Sequence, residues 1–154
     1  MAVLLVVAFA NIFSNNSFSQ NSVLGNVAKD IFDNKTLTLP SDVKNFVILI
    51  PNEAHESPLL PKEQRLINQP YVPQNLVSGA NTQIIWFSGD VGHTRKIALT
   101  DENSKEVYNS RLKFNTATEP LLLNHSGKFT YFEKNANIQD PKFVMEGSIT
   151  ITNT

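Results

Sequence analysis

Residues 127 to 151 read GKFTYFEKNANIQDPKFVMEGSITI. In Lys128 to Phe132, Phe129 and Tyr131 fall on one side of an extended chain while Lys128 and Thr130 fall on the other. In Ser148 to Thr152 the isoleucines alternate with Ser and Thr in the same way. A period of two predicts strands with one buried and one wet face, joined here by a loop that closes at Met145.

Working outward, similar runs recur at short intervals: NFVILIP at 45–51, YVPQNLV at 71–77, TQIIWFS at 82–88, RKIALT at 95–100, EVYNS at 106–110 and EPLLLN at 119–124. SGAN, SGDVG, DENSK and NHSG separate them, each holding the Gly, Asn, Asp or Ser that tight reversals require. Several short strands at this spacing argue an all-β sandwich or barrel, and no sustained helical period appears outside the first residues. Trp86, the one tryptophan, sits in the most apolar run and is expected as a core anchor.

The chain of 154 residues suits one domain, and its 41% hydrophobic and 18% charged residues are ordinary for a globular protein. Thirteen basic and fourteen acidic residues leave a net charge of -1 with no Lys/Arg run, which argues against nucleic acid as a partner. Without cysteine there are no disulfides, thiolate nucleophiles or thiolate metal sites. Three sequons begin at Asn15, Asn34 and Asn124, a pattern too short to carry a conclusion.

Met1 to Ala28 contains no charged residue, and its apolar stretch AVLLVVAFANIF is shorter than the roughly 20 residues a membrane-spanning helix needs. It suits the hydrophobic region of a secretory signal, with small residues at Ser17 and Ser19 offering a cleavage frame. We therefore expect a signal peptide over residues 1–20, an irregular segment over 21–44 and a domain over 45–154. Within that domain, residues 51–70 hold four of the eight prolines and no alternation, which predicts a long loop. The protein is expected outside the cytoplasm, secreted or in the cell envelope, where a partner would be an envelope or membrane protein.

Three segments in order resemble the cupredoxins, the family of plastocyanin, azurin and amicyanin. YVPQNLVSGANTQIIWFSGDVGH is similar to the family's strand, turn, strand ending in Trp, and first histidine ligand, which places His93 in the ligand position. SGKFTYFE resembles the strand leading into the copper loop, and MEGSITI the strand leaving it, with Met145 in the axial-ligand position. The resemblance covers residues 71–154 and implies a Greek-key β-sandwich. It also implies that the family's cysteine falls at Glu133 and its second histidine at Ala136. A type 1 copper centre needs the short bond to a thiolate, so blue-copper electron transfer is not expected.

Chain direction sends the strand Thr82 to Ser88 toward His93, the strand Lys128 to Phe132 toward Glu133, and the strand Ser148 to Thr152 away from Met145. The family's topology would bring the turn PNEAHESP to the same end. A non-blue copper site of His93, His55, Glu133 and Met145 is therefore one expectation, with Glu53, Glu56 or Asp90 as further oxygen donors. His125 lies about 8 residues, or roughly 25 Å, from that end and is expected to be a solvated turn residue. The alternative is a metal-free cupredoxin-fold module that binds protein or serves a structural role. No nucleophile elbow, phosphate loop or His-Glu-x-x-His helix occurs, so an enzyme is not expected.

Overall fold

The computed structural model describes residues 35–52, 70–134 and 145–153. Ten strands form the described body: β1 (Thr36–Thr38), β2 (Asn45–Ile50), β3 (Asn75–Gly79), β4 (Gln83–Ser88), β5 (Arg95–Thr100), β6 (Glu106–Leu112), β7 (Thr116–Ala117), β8 (Leu121–Leu122), β9 (Gly127–Glu133) and β10 (Glu146–Thr152). They make two sheets. The larger runs β1-β3-β10-β9-β5-β6, and the smaller runs β2-β4-β7 with β8 also paired to β4. Both sheets are mixed: β1, β3 and β10 run parallel, as do β2 and β4, and the other pairs are antiparallel. This is the β-sandwich that the sequence predicts.

Alternation decides what lies between the sheets. On the larger sheet Phe129 and Tyr131 of β9, Ile97 and Leu99 of β5, and Ile149 and Ile151 of β10 are buried. Facing them are Ile84 and Trp86 of β4 and Ile48 and Ile50 of β2, also buried. Each such aliphatic or aromatic side chain contributes about 1.5–3 kcal/mol on burial. Trp86 is the centre of this core, as expected: its ring packs edge-on to Tyr131 at 5.5 Å and stacks on Tyr108 at 5.7 Å. Tyr71 meets Tyr131 edge-on at 4.8 Å.

Gly147, opposite Tyr131 in the ladder, is required by this packing. A Cβ there would lie 2.5 Å from the Tyr131 hydroxyl oxygen and 2.3 Å from the Gln74 carbonyl oxygen. The empty position lets the phenol donate to that same carbonyl at 2.8 Å.

Some strand limits differ from the sequence reading. Residues 36–38 form a strand inside the segment expected to be irregular; β1 pairs with β3, and Leu37 and Leu39 pack against the core. The third strand starts at Asn75 rather than Tyr71, since Pro73 has no N–H to give a ladder. Around Pro120 the run EPLLLN keeps only two strand residues, and Thr116–Ala117, not anticipated, pairs with β4 above it. The leader and residues 53–69 of the Pro-rich loop lie outside the described residues. No helix among the described residues is long and apolar enough to cross a membrane.

Candidate functional site

The ends of β4 and β9 and the beginnings of β5 and β10 meet at one end of the sandwich. In the larger sheet Ile97 lies opposite Glu133 on one side, and Glu146 lies opposite Phe132 on the other. The Glu133 N–H donates to the Met145 carbonyl at 3.1 Å. On the smaller sheet the Gly89 N–H donates to the Ile50 carbonyl at 2.8 Å, which carries the chain past the end of β4 to Asp90. Gly92, at a φ of +80°, then turns it through His93 into β5. His93, Glu133 and Met145 thus reach a common end, as chain direction requires.

Their side chains are engaged elsewhere. Arg95 alternates with Ile97 and Leu99 and so points inward, at 6% exposure, between fully buried Asp90 and Glu133 at 3%. Its Nε donates to Asp90 Oδ2 at 2.7 Å, and Nη2 pairs with the same oxygen. Nη1 lies 3.8 Å from Glu133 Oε2, while Glu133 Oε1 accepts the Lys96 N–H at 3.0 Å. An ion triad, Asp90–Arg95–Glu133, therefore ties the smaller sheet to the larger across their shared end. His93 is on its rim, with a side chain 43% exposed and Nδ1 3.5 Å from Asp90 Oδ1 and 3.1 Å from the Val91 carbonyl. Met145 is buried at 1% exposure.

Tyr71 is also fully buried, and its hydroxyl has no hydrogen-bond partner among the described residues. Burial pushes its phenol well above the usual range, and the charge of Glu133 pushes the same way against the smaller opposing pull of Arg95. Tyr131 is raised too, by burial and then by Tyr71. Neither phenol ionises in the folded protein at ordinary pH.

Of the sequence-predicted site residues, His93, Glu133 and Met145 lie at this end, and Asp90 with them. His55, Glu53 and Glu56 lie outside the described residues, as does Ala136. His125 is exposed in the turn before β9, its ring 5.3 Å from Phe129. Arg95 was not anticipated, although the alternation of RKIALT points it inward as surely as Ile97 and Leu99.

In a structural comparison the purple cupredoxin from Nitrosopumilus maritimus superposes with a TM-score of 0.51 over 69% of this chain and 98% of that one, at 20% identity. The chain has the cupredoxin fold. Auracyanin from Roseiflexus castenholzii gives a TM-score of 0.49 at 7% identity, over 71% of this chain and 97% of its own. Amicyanin from Paracoccus versutus gives 0.46 at 14%, over 74% and 85%. No protein-family model matches the sequence, and no curated protein matches it.

As a cupredoxin-fold protein without cysteine, the chain has no thiolate to offer copper. Among the described residues, the donors that remain do not fit the metal. To coordinate, Glu133 would have to leave both the guanidinium and the Lys96 amide. A metal ion there would have to compete with the permanently charged Arg95 for the same carboxylates. Among the described residues no three His, Asp or Glu side chains gather as metal ligands. What the arrangement does chemically is hold the two sheets together through charge.

Proposed function

We propose that this chain is a cupredoxin-fold module that works without a metal centre, as a protein-binding or structural element of the cell envelope, and that it is neither an electron carrier nor an enzyme. The observation that carries this reading is the guanidinium of Arg95 clasped by Asp90 and Glu133, where the resemblance puts the copper thiolate. An always-protonated guanidinium in that place serves cohesion and occupies the carboxylates a metal would need. Placement in the envelope rests on the uncharged, apolar residues at the start of the sequence.

The test is calorimetric melting with and without Cu(II), with His93→Ala alongside. A ligand bound only by the folded state stabilises by RT ln(1 + [L]/Kd), about 2.7 kcal/mol at a hundredfold excess over Kd. We expect copper to leave the melting temperature of both proteins unchanged. A rise in the wild type that disappears in His93→Ala would overturn the reading and restore the copper site of His93, His55, Glu133 and Met145.

A further inference from the structure

The outer face of the larger sheet carries a row of cations. Arg111 of β6 is the direct cross-strand neighbour of Lys96 of β5. On the other side of Lys96 stands Lys134, whose N–H donates to the Lys96 carbonyl at 2.9 Å. Two strand spacings separate the ends of the row, roughly 10 Å. Like charges placed directly opposite on a sheet destabilise it. Lys134 is relieved by an ion pair with Glu106, whose carboxyl is held below the usual range first by that lysine's hydrogen bond and next by Asn109. Arg111 and Lys96 are both exposed; Lys96 also helps to hold the Glu106 carboxyl low, and neither makes a close ion pair among the described residues.

Charged residues commonly guard an edge strand against unwanted pairing, and that accounts for Arg111, because β6 is the last of the described strands on that side of the sheet. It does not account for Lys96, which lies on β5 between β9 and β6. A protein of net charge -1 has no general excess of cations to place there.

We infer that the outer face at β6 and β5 is the docking surface for an acidic extended segment of a partner protein that crosses these strands along the row, with Arg111 and Lys96 receiving carboxylates that project from alternate residues. The surrounding outer face carries Thr100, Thr130, Ser148 and Thr150 beside a half-buried Phe132 and an exposed Glu146, a mainly polar surface that suits a peptide and not the acyl region of a membrane. The inference rests on the binding-module reading and names its partner's chemistry.

The experiment uses the full chain and a fluorescein-labelled decapeptide of alternating Glu and Thr, followed by fluorescence anisotropy at rising salt. We expect saturable binding that weakens with salt, and binding at least tenfold weaker for the same peptide with Gln in place of Glu. The double variant Lys96→Gln/Arg111→Gln should also lose at least tenfold, with an unchanged circular dichroism spectrum and an equal or higher melting temperature. Equal binding by the variant or by the Gln peptide would overturn the inference. So would an absence of peptide binding together with cosedimentation on phosphatidylglycerol vesicles. If the peptide does not bind and copper leaves the melting temperature unchanged, this inference falls while the metal-free reading stands.

Discussion

Arg95 shows how one side chain can set the chemistry of a whole end of a sandwich. A guanidinium taken out of water loses hydration that only close carboxylates can replace, so its stability is bound to those of Asp90 and Glu133. Arg95→Met takes the guanidinium away from two buried carboxylates and should lower stability by about 3–5 kcal/mol, measured by urea denaturation. Replacing all three together, as Asp90→Asn, Arg95→Met and Glu133→Leu, should recover most of that loss, because the three buried charges are then removed together. If the triple variant is as unstable as the single one, the triad is not an electrostatic unit. At this scale the sequence was partly legible. The positions of His93, Glu133 and Met145 followed from chain direction, and Asp90 was already noted as a nearby carboxylate. What was not read was the pairing, because alternation gives the face of Arg95 but not which carboxylate crosses from the other sheet to meet it.

The strands show how small substitutions in the ladder hold these residues in register. Between β7 and β8 the chain leaves β4, and Thr118 fills the gap: its N–H donates to the Trp86 carbonyl at 2.9 Å and its Oγ1 accepts the Trp86 N–H at 3.1 Å. Thr118→Val keeps the shape, orphans a buried N–H and should cost about 1–3 kcal/mol, visible as a lower urea midpoint with an unchanged slope. Gly147→Ala should be at least as harmful, about 1–3 kcal/mol or more, since the new methyl group meets the Tyr131 ring and the Gln74 backbone together. Among the elements, RKIALT, KFTYFE and GSITIT were legible within about a residue because period two is uninterrupted in them. The short β1 carried the same signal in TLTL before Pro40, but three residues are too few to stand out from the irregular sequence before them. β7 carried no signal: both its residues are exposed, and only the position of β4 makes it a strand.

Across the whole molecule the two buried phenols couple the fold to alkaline pH. In the unfolded chain Tyr71 and Tyr131 ionise near the ordinary phenol value of about 10, whereas the folded protein keeps both protonated well above it. Their contribution is complete below about pH 10. Above it stability falls by up to about 1.4 kcal/mol per pH unit for each tyrosine, until the raised folded values are reached. The phenolate absorbance of these two residues should therefore appear in step with the loss of the far-ultraviolet signal. Phenolate from both appearing before any loss of structure would show that the core admits the charge.

The placement of β10 between β3 and β9 also governs when this body can form at all. Until residues 146–152 have left the ribosome, the larger sheet exists only as two unjoined pieces, β1 with β3 and β9 with β5 and β6, and Phe129 and Tyr131 have no neighbour on that side. A fragment ending before Glu146 should stay unfolded by circular dichroism, and one running through Thr152 should fold. A body that cannot close before β10 is made keeps the strands that precede it threadable until then.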